Sequence, residues 1–319
     1  MKAIRIVFLA ICSTIFTVAA FAQDEKPIRV ETNLVNVNVS ITDKKGKFVE
    51  RLTKENFDVF DNGQNQKIEY FSAQEAPVSF GFVYDMHPTT EARTKAVLES
   101  LREFTKSLRE EDDFFTLVFN NRGSLNVDFV PTAAQLRTHL SGRHREPNAL
   151  YDAIFLATNK IREKRNFKRV IMVITDSADH NSEHRFNDIL KQLKTLDAQI
   201  YTVLWDEAEE WQYADLTRDG DPRRRVSSDA SSLDRAALEE LAVRTGGLMQ
   251  SPVVQNAGEL FRIYNQIAFE TRKQYTIGFY PDQLDGKWHH LRIKLRSVKD
   301  GKRMALTYRQ GYQSPNKAP

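Results

Sequence analysis

Val78-Ser-Phe-Gly-Phe-Val-Tyr-Asp85 and Arg169-Val-Ile-Met-Val-Ile-Thr-Asp176 are the two stretches that decide the fold of this 319-residue chain. Each is a short, nearly continuous apolar run that ends in an aspartate. Such runs read as strands buried on both faces of a parallel sheet, because an exposed face would demand a polar residue at every second position. In open α/β sheets the ligand sits outside the carboxyl ends of the strands. Asp85 and Asp176 are thus delivered to one edge by two different strands, and two carboxylates meeting there make a candidate cation site.

Around these runs, strands alternate with amphipathic helices. A helix at 90–109 gathers Ala92, Ala96, Val97, Leu101, Phe104 and Leu108 on one face. Further strands are expected at 113–120, 125–130, 198–205 and 248–251. Helices are expected at 132–140, 149–164, 185–197, 232–244 and 257–271, and Gly246-Gly247 is a helix-stop signal. Residues 206–231 read as a long polar insert, acidic first and then basic at Arg223, Arg224 and Arg225. The alternation predicts an α/β class: a doubly wound, mostly parallel sheet covered on both faces.

The two ends of the chain follow another period. Val35, Val37, Val39 and Ile41 alternate with Asn36, Asn38 and Ser40, the pattern of a half-buried strand. Residues 57–60 and 68–71 read as two strands joined by a tight turn at Asp61-Asn62-Gly63. From Gln274 strands return at 275–280, 288–296 and 304–308. Neither β segment has enough strands for an independent sandwich. The economical arrangement is an α/β domain, 77–271, inserted within one small β-sandwich built from 27–76 and 272–313.

Residues 1–22 read as a signal peptide. Lys2 and Arg5 form a basic start, residues 6–20 an apolar stretch too short for a comfortable membrane span, and Ala20-Phe21-Ala22 a cleavage site before Gln23. Leu9-Ala10-Ile11-Cys12 hints at lipidation, but Ile11 is bulky beside the cysteine. The basic start and cleavage site suit a bacterial secreted or periplasmic protein. Cys12 is the only cysteine, so the mature chain has neither disulfide nor thiol chemistry. Removing Lys2 and Arg5 from the 46 basic residues leaves 44 against 43 acidic ones. That balance argues against nucleic acid or an anionic membrane as the partner. No later segment is apolar enough to insert in a membrane after cleavage.

With these residues in place, 77–271 resembles a von Willebrand factor type A domain. The whole mature chain resembles the secreted "VWFA-related" proteins of acidobacteria and similar environmental bacteria. Tyr275-Thr-Ile-Gly278-Phe279-Tyr280-Pro281 and Arg309-Gln-Gly311-Tyr312 match that family's closing pattern. The resemblance implies a Rossmann-like body and a metal-ion-dependent adhesion site, in which hydroxyl and carboxylate oxygens hold Mg²⁺, Mn²⁺ or Ca²⁺. A vacant position on the ion then accepts a carboxylate from a partner protein.

Mapped on this chain, that site is degenerate. Asp85 matches the first aspartate and Asp176 the last. Thr89 replaces a serine conservatively, whereas His87 stands in a serine slot and Asn148 in a threonine slot. Three readings stay open: a weakened hard-cation site binding Mg²⁺ or Mn²⁺ poorly, a drift toward a transition metal through His87, or a dead site with His87 hydrogen-bonded to Asp176. No cofactor is certain. Trp205 and Trp211, beside or within the 206–231 insert, are candidate anchors for an unknown protein ligand.

One further motif needs weighing. His180-Asn-Ser-Glu183-His184 matches the inverted zinc-peptidase pattern, which requires both histidines on one helical face and a glutamate base. Here the segment follows a strand end and reads as a solvated loop. There is no Ser-His-Asp arrangement, no phosphate-binding glycine loop and no GxSxG. The expected function is therefore a non-enzymatic, extracytoplasmic protein-binding or adhesion-type module. The alternatives are a zinc-dependent hydrolase built on His180, Glu183 and His184, and an inert structural subunit of an envelope assembly.

Overall fold

The computed structural model describes residues 33–85, 91–120, 123–132, 134–135, 149–175, 179, 182–204, 225–250, 256–296 and 304–317. The period-2 segment forms β1 (Val35–Thr42). Strand β2 (Phe57–Asp61) turns at Asn62 and Gly63 into β3 (Gln64–Gln66). Both turn residues have positive φ, 46° and 86°, which matches the twist of a two-residue hairpin. So tight a turn puts Gln64 directly opposite Asp61. The hairpin's second strand is thus this polar triplet, not the apolar 68–71 that the sequence pattern suggests. Strand β4 (Tyr70–Ser72) belongs to a different sheet.

The α/β body runs β5 (Val78–Asp85), α1 (Glu91–Lys106), β6 (Asp113–Asn120), β7 (Gly123–Val127), α2 (Leu150–Arg162) and β8 (Lys168–Thr175). It continues with α3 (Phe186–Lys194), β9 (Gln199–Leu204), α4 (Arg225–Thr245), β10 (Met249–Gln250) and α5 (Ala257–Lys273). The sheet order is β10-β9-β8-β5-β6-β7. The first five of these strands run parallel, and β7 closes the edge antiparallel to β6. Every residue of β5 is buried, as its unbroken apolar run requires. Val78, Phe80, Phe82 and Tyr84 pack with α1 and α5 on one face, while Val83 packs with α2, α3 and α4 on the other. Gly81 makes room for Phe115, since a Cβ there would lie 2.6 Å from that ring. Phe82 meets Phe104 and Tyr264 edge to face, with centroids 5.3 Å away in both cases. Burying each of these side chains contributes about 2 kcal/mol.

Helix α4 begins at Arg225, so the end of the expected polar insert is helical. The serines at 227, 228, 231 and 232 are weak helix formers, which hid this turn from a propensity reading. At the other end Gly246 has φ +77°. Gly246 N–H donates to Val243 O at 3.2 Å and Gly247 N–H to Ala242 O at 2.9 Å, the paired bonds of a Schellman stop. The helix expected at 132–140 lies outside the described residues except for 134–135, which are helical.

After α5 come β11 (Tyr275–Phe279), β12 (Trp288–Leu295), β13 (Ala305–Thr307) and β14 (Gly311–Gln313). They pair with the N-terminal strands in two antiparallel sheets, β13-β1-β11-β4 and β14-β12-β2-β3. The sheets bury one core between them, with Val37, Val39 and Ile277 from one and Phe57, Val59 and Ile293 from the other. The body is thus inserted in a small β-sandwich. The two are sewn together at Gln274, whose Nε2 donates to Ser40 Oγ and Gln199 Oε1, both at 2.9 Å. Among the described residues no helix is long and apolar enough to cross a membrane.

Candidate functional site

The chain leaves β5 for β6 on one side of the sheet and later returns to place β8 on the other. Helix α1, after β5, covers one face, and α3, after β8, covers the opposite face. Such a divergence makes the carboxyl ends of β5 and β8 the switch point of the sheet, the place where α/β folds of this kind bind ligands. Asp85 ends β5 there and is 1 % exposed. Thr175 ends β8, is fully buried, and donates from Oγ1 to Asp85 Oδ2 at 3.0 Å. The carboxylate is a hard oxygen donor of the kind Mg²⁺ and Mn²⁺ take. A hydroxyl bonded to such a carboxylate fixes its orientation.

Beyond β8, Asp179, Ser182, Glu183 and His184 are tied to the start of α2. Asp179 Oδ1 accepts from the Tyr151 amide at 3.2 Å and from Ser182 Oγ at 2.6 Å. Ser182 Oγ in turn accepts from the Asp152 amide at 3.1 Å. An acidic group outside the helix thereby serves the orphan N–H groups of its first turn. Burial pushes the Asp179 carboxyl above its usual range, against the hydrogen bonds that favour its charge. Asp234 of α4 ties the same loop from the other side, accepting from Tyr151 Oη at 2.6 Å and from the Asp179 amide at 3.0 Å. Burial, reinforced by Asp234, holds the Tyr151 phenol well above its ordinary value, so it stays a donor. Neither Asp152, Asp179 nor Asp234 stands out in the sequence. The one legible signal is the acidic residue in the first turn of α2.

Asp152 also decides the geometry of the zinc-peptidase-like motif. Its carboxylate accepts from the amides of Glu183 (3.0 Å) and His184 (2.8 Å), and from His184 Nδ1 at 2.7 Å. The imidazole stacks on Phe155 with centroids 3.7 Å apart. Both Glu183 and His184 precede α3, which starts at Phe186. His184 is thus a packed loop residue and lacks the helical placement that the motif needs. His180 lies outside the described residues.

Of the five expected metal ligands the described residues include Asp85 alone. His87, Thr89, Asn148 and Asp176 lie outside them, as do the expected anchors Trp205 and Trp211. Among the described residues no group of three or more His, Cys, Asp or Glu side chains is arranged to hold a metal ion. What the structure adds is Thr175, the residue before the expected ligand Asp176. Only the register that sets Tyr84 beside Ile174 reveals its role.

Five parallel strands flanked by helices on both faces, with a switch point between β5 and β8, make this a von Willebrand factor A-like α/β fold. Solved structures similar to it include a von Willebrand factor type A protein from Catenulispora acidiphila, at 10% identity and TM-score 0.41, covering 88% of this chain and 72% of that one. An aerotolerance-related membrane protein from Bacteroides fragilis matches at 14% identity and TM-score 0.38, over 61% of this chain and 100% of that one. The PilB minor pilin from Streptococcus sanguinis matches at 8% identity and TM-score 0.40, over 66% and 64% of the two chains. No family model matches the sequence, and no curated protein matches it.

Proposed function

We propose that this chain is an extracytoplasmic, non-enzymatic protein-binding module. Its ligand would dock on the edge formed by loops 85–91, 144–149, 177–184 and 206–231. The observation that supports this most is the place of Asp85: a buried carboxylate, oriented by Thr175, at the switch point of a doubly wound sheet. In this reading Asp85, His87, Thr89, Asn148 and Asp176 hold Mg²⁺ or Mn²⁺ weakly, because an imidazole and an amide replace two hydroxyls. Trp205 and Trp211 would supply the aromatic anchors. The hydrogen bonds that hold Asp179, Ser182, Glu183 and His184 to one another and to α2 support a pre-organised interface. Residues 1–22 act as the export signal, and 27–76 with 272–313 form the domain that carries 77–271.

The test is calorimetric titration of the metal-stripped chain with Mg²⁺, Mn²⁺, Ca²⁺ and Zn²⁺. Restoring the hydroxyls with His87→Ser and Asn148→Thr should tighten Mg²⁺ by about ten-fold or more, and Asp85→Ala should remove the heat. Unchanged heats in all three variants would sink the cation part of the reading. Zinc heat lost only in a His180→Ala, His184→Ala double variant would favour the hydrolase alternative instead.

A further inference from the structure

The opposite edge of the parallel sheet, where its strands begin, carries a groove that the adhesion edge does not use. One hollow of about 560 Å³ lies between α3, the end of α4 and sandwich strands β12 and β14. A second, of about 290 Å³, continues it toward Asn36 and Arg169. The two share Lys194, Asp197 and Arg309, so they form one groove along the seam between body and sandwich.

Its chemistry is one-sided. Lys191, Lys194, Arg244 and Arg309 line the first hollow and Arg169 the second, and Asp197 is the one carboxylate in the lining. From outside it, Glu240 pairs with Arg244 at 2.6 Å and Asp188 with Lys191 at 3.1 Å, which leaves the lining with a net positive charge. The Nε–H groups of Arg169 and Arg309 are buried without an acceptor, and Asn36 Oδ1 is buried without a donor. Arg309 commits Nη2 to the Asn36 carbonyl, and its Nη1 stands 3.7 Å from Asp197. Arg169 commits Nη2 to the Lys164 carbonyl at 3.2 Å. These enclosed atoms lie beneath the lining, so the open face of the groove is set by the exposed cations Lys191, Lys194 and Arg244. The floor is apolar: Leu193 and Trp288 line it, with Lys194 Nζ 5.8 Å above the Trp288 ring.

A small inorganic anion would call for cations converging on one point. Here the point on which Arg309 and Arg169 converge is already taken by the Asp197 carboxylate, and the remaining cations Lys191, Lys194 and Arg244 are set along the first hollow, which is of a size that takes side chains. Guanidinium forks match carboxylates in shape and charge. We propose that this groove binds an acidic, partly apolar peptide segment of a partner protein, Lys194 and Arg244 pairing its carboxylates and Leu193 and Trp288 receiving its apolar side chains. The module then has two docking edges at opposite ends of one sheet.

The test is fluorescence-polarisation titration of the full chain with a labelled peptide of alternating Glu and Leu, beside a Lys–Leu counterpart. The Glu–Leu peptide should bind, weaken with salt, and lose about ten-fold or more in Lys194→Glu and in Arg244→Glu. Both residues are exposed on the rim. Arg244→Glu also breaks the pair with Glu240, so unfolding midpoints are read beside the titration and Lys194→Glu carries the assignment to binding. Equal binding of the Lys–Leu peptide, or indifference to both variants, overturns the proposal. So does binding of phosphate or citrate without the peptide, which would mark a small-anion site. Peptide binding that requires Mg²⁺ and vanishes in Asp85→Ala would put the peptide at the other edge and overturn it as well.

Discussion

Thr175 Oγ1 donates to Asp85 Oδ2 across 3.0 Å, joining the carboxyl ends of the two strands between which the order of the parallel sheet reverses. Both side chains are buried. The bond therefore belongs at once to the packing of the sheet and to the orientation of the one expected ligand that the described residues include.

Thr175→Val keeps the shape and removes this donor. Leaving a buried carboxylate one partner short costs about 1–3 kcal/mol, read as a lower urea midpoint. Any cation affinity at Asp85 should fall by about ten-fold as its orientation is lost, whereas Thr175→Ser keeps both properties. A valine variant that binds metal as the parent does would show that the hydroxyl serves the sheet alone.

Asp152 makes a separable prediction. Burial pushes its carboxyl up, but the amides of His184 and Glu183 and the His184 ring together hold it below its ordinary value. Asp152→Ala removes both acceptor oxygens from the loop. Hydrogen exchange at the amides of Glu183 and His184 should speed by about ten-fold, a cost near 1.4 kcal/mol, while the β5 amides stay protected. Unchanged protection at 183 and 184 would mean that Ser182 and Asp179 hold the loop by themselves.

The β5 run and Asp85 were legible because a strand buried on both faces announces itself in eight consecutive residues. The sandwich was legible in part. The Val35–Ile41 alternation was read correctly as a strand but not as a half-buried one, since Asn38 and Ser40 are buried too, bonded to Thr276 and Gln274. The apolar 68–71 was paired across the turn at Asn62, where the polar Gln64–Gln66 lies. Hydrophobic pattern says which face a strand shows and not which strand it meets. Thr175, Asp152 and Asp179 were not singled out, since each acts through a partner about 30 to 90 residues away in sequence. Lys168 is a sharper case: a lysine opening a strand reads as solvated, yet it is 1 % exposed.

Lys168 Nζ donates to the carbonyls of Thr271 (3.0 Å), Arg272 (2.8 Å) and Gln274 (3.0 Å). These carbonyls close the end of α5, where a cation also meets the negative end of the helix dipole, and Thr271 O takes the Gln274 amide as well, at 3.4 Å. Lys168→Met fills the space but removes one donor from each, so a loss of about 3 kcal/mol is expected in urea unfolding. Lys168→Arg should recover little, because a planar fork cannot point three donors along a lysine's tetrahedral directions. A methionine variant as stable as the parent would show that the carbonyls find other donors.

His289 gives the sandwich a dependence on pH. It is 2 % exposed, with Nδ1 2.9 Å from Asp61 Oδ2 and Nε2 3.1 Å from Asp285 Oδ1. Tyr312 Oη donates to Asp61 Oδ2 at 2.8 Å, and burial with the Asp61 hydrogen bond keeps that phenol neutral. Burial of His289 pulls its pKa down, but the hydrogen bonds and charges of Asp61 and Asp285 outweigh it and leave it above the ordinary 6.5. A base whose folded pKa is raised binds its proton more tightly in the native state. Its stabilisation is complete below 6.5 and is lost as pH rises through the folded value. Asp285, held low by the Lys287 amide and by His289, acts in the opposite sense and loses its contribution only under acid. The urea midpoint should therefore decline as pH rises above 6.5 through the folded value. His289→Gln should lower stability at pH 6 and flatten that decline, since an amide carries no titrating proton. An equally steep decline in the glutamine variant would place the titrating group elsewhere and leave His289 as a packing residue alone.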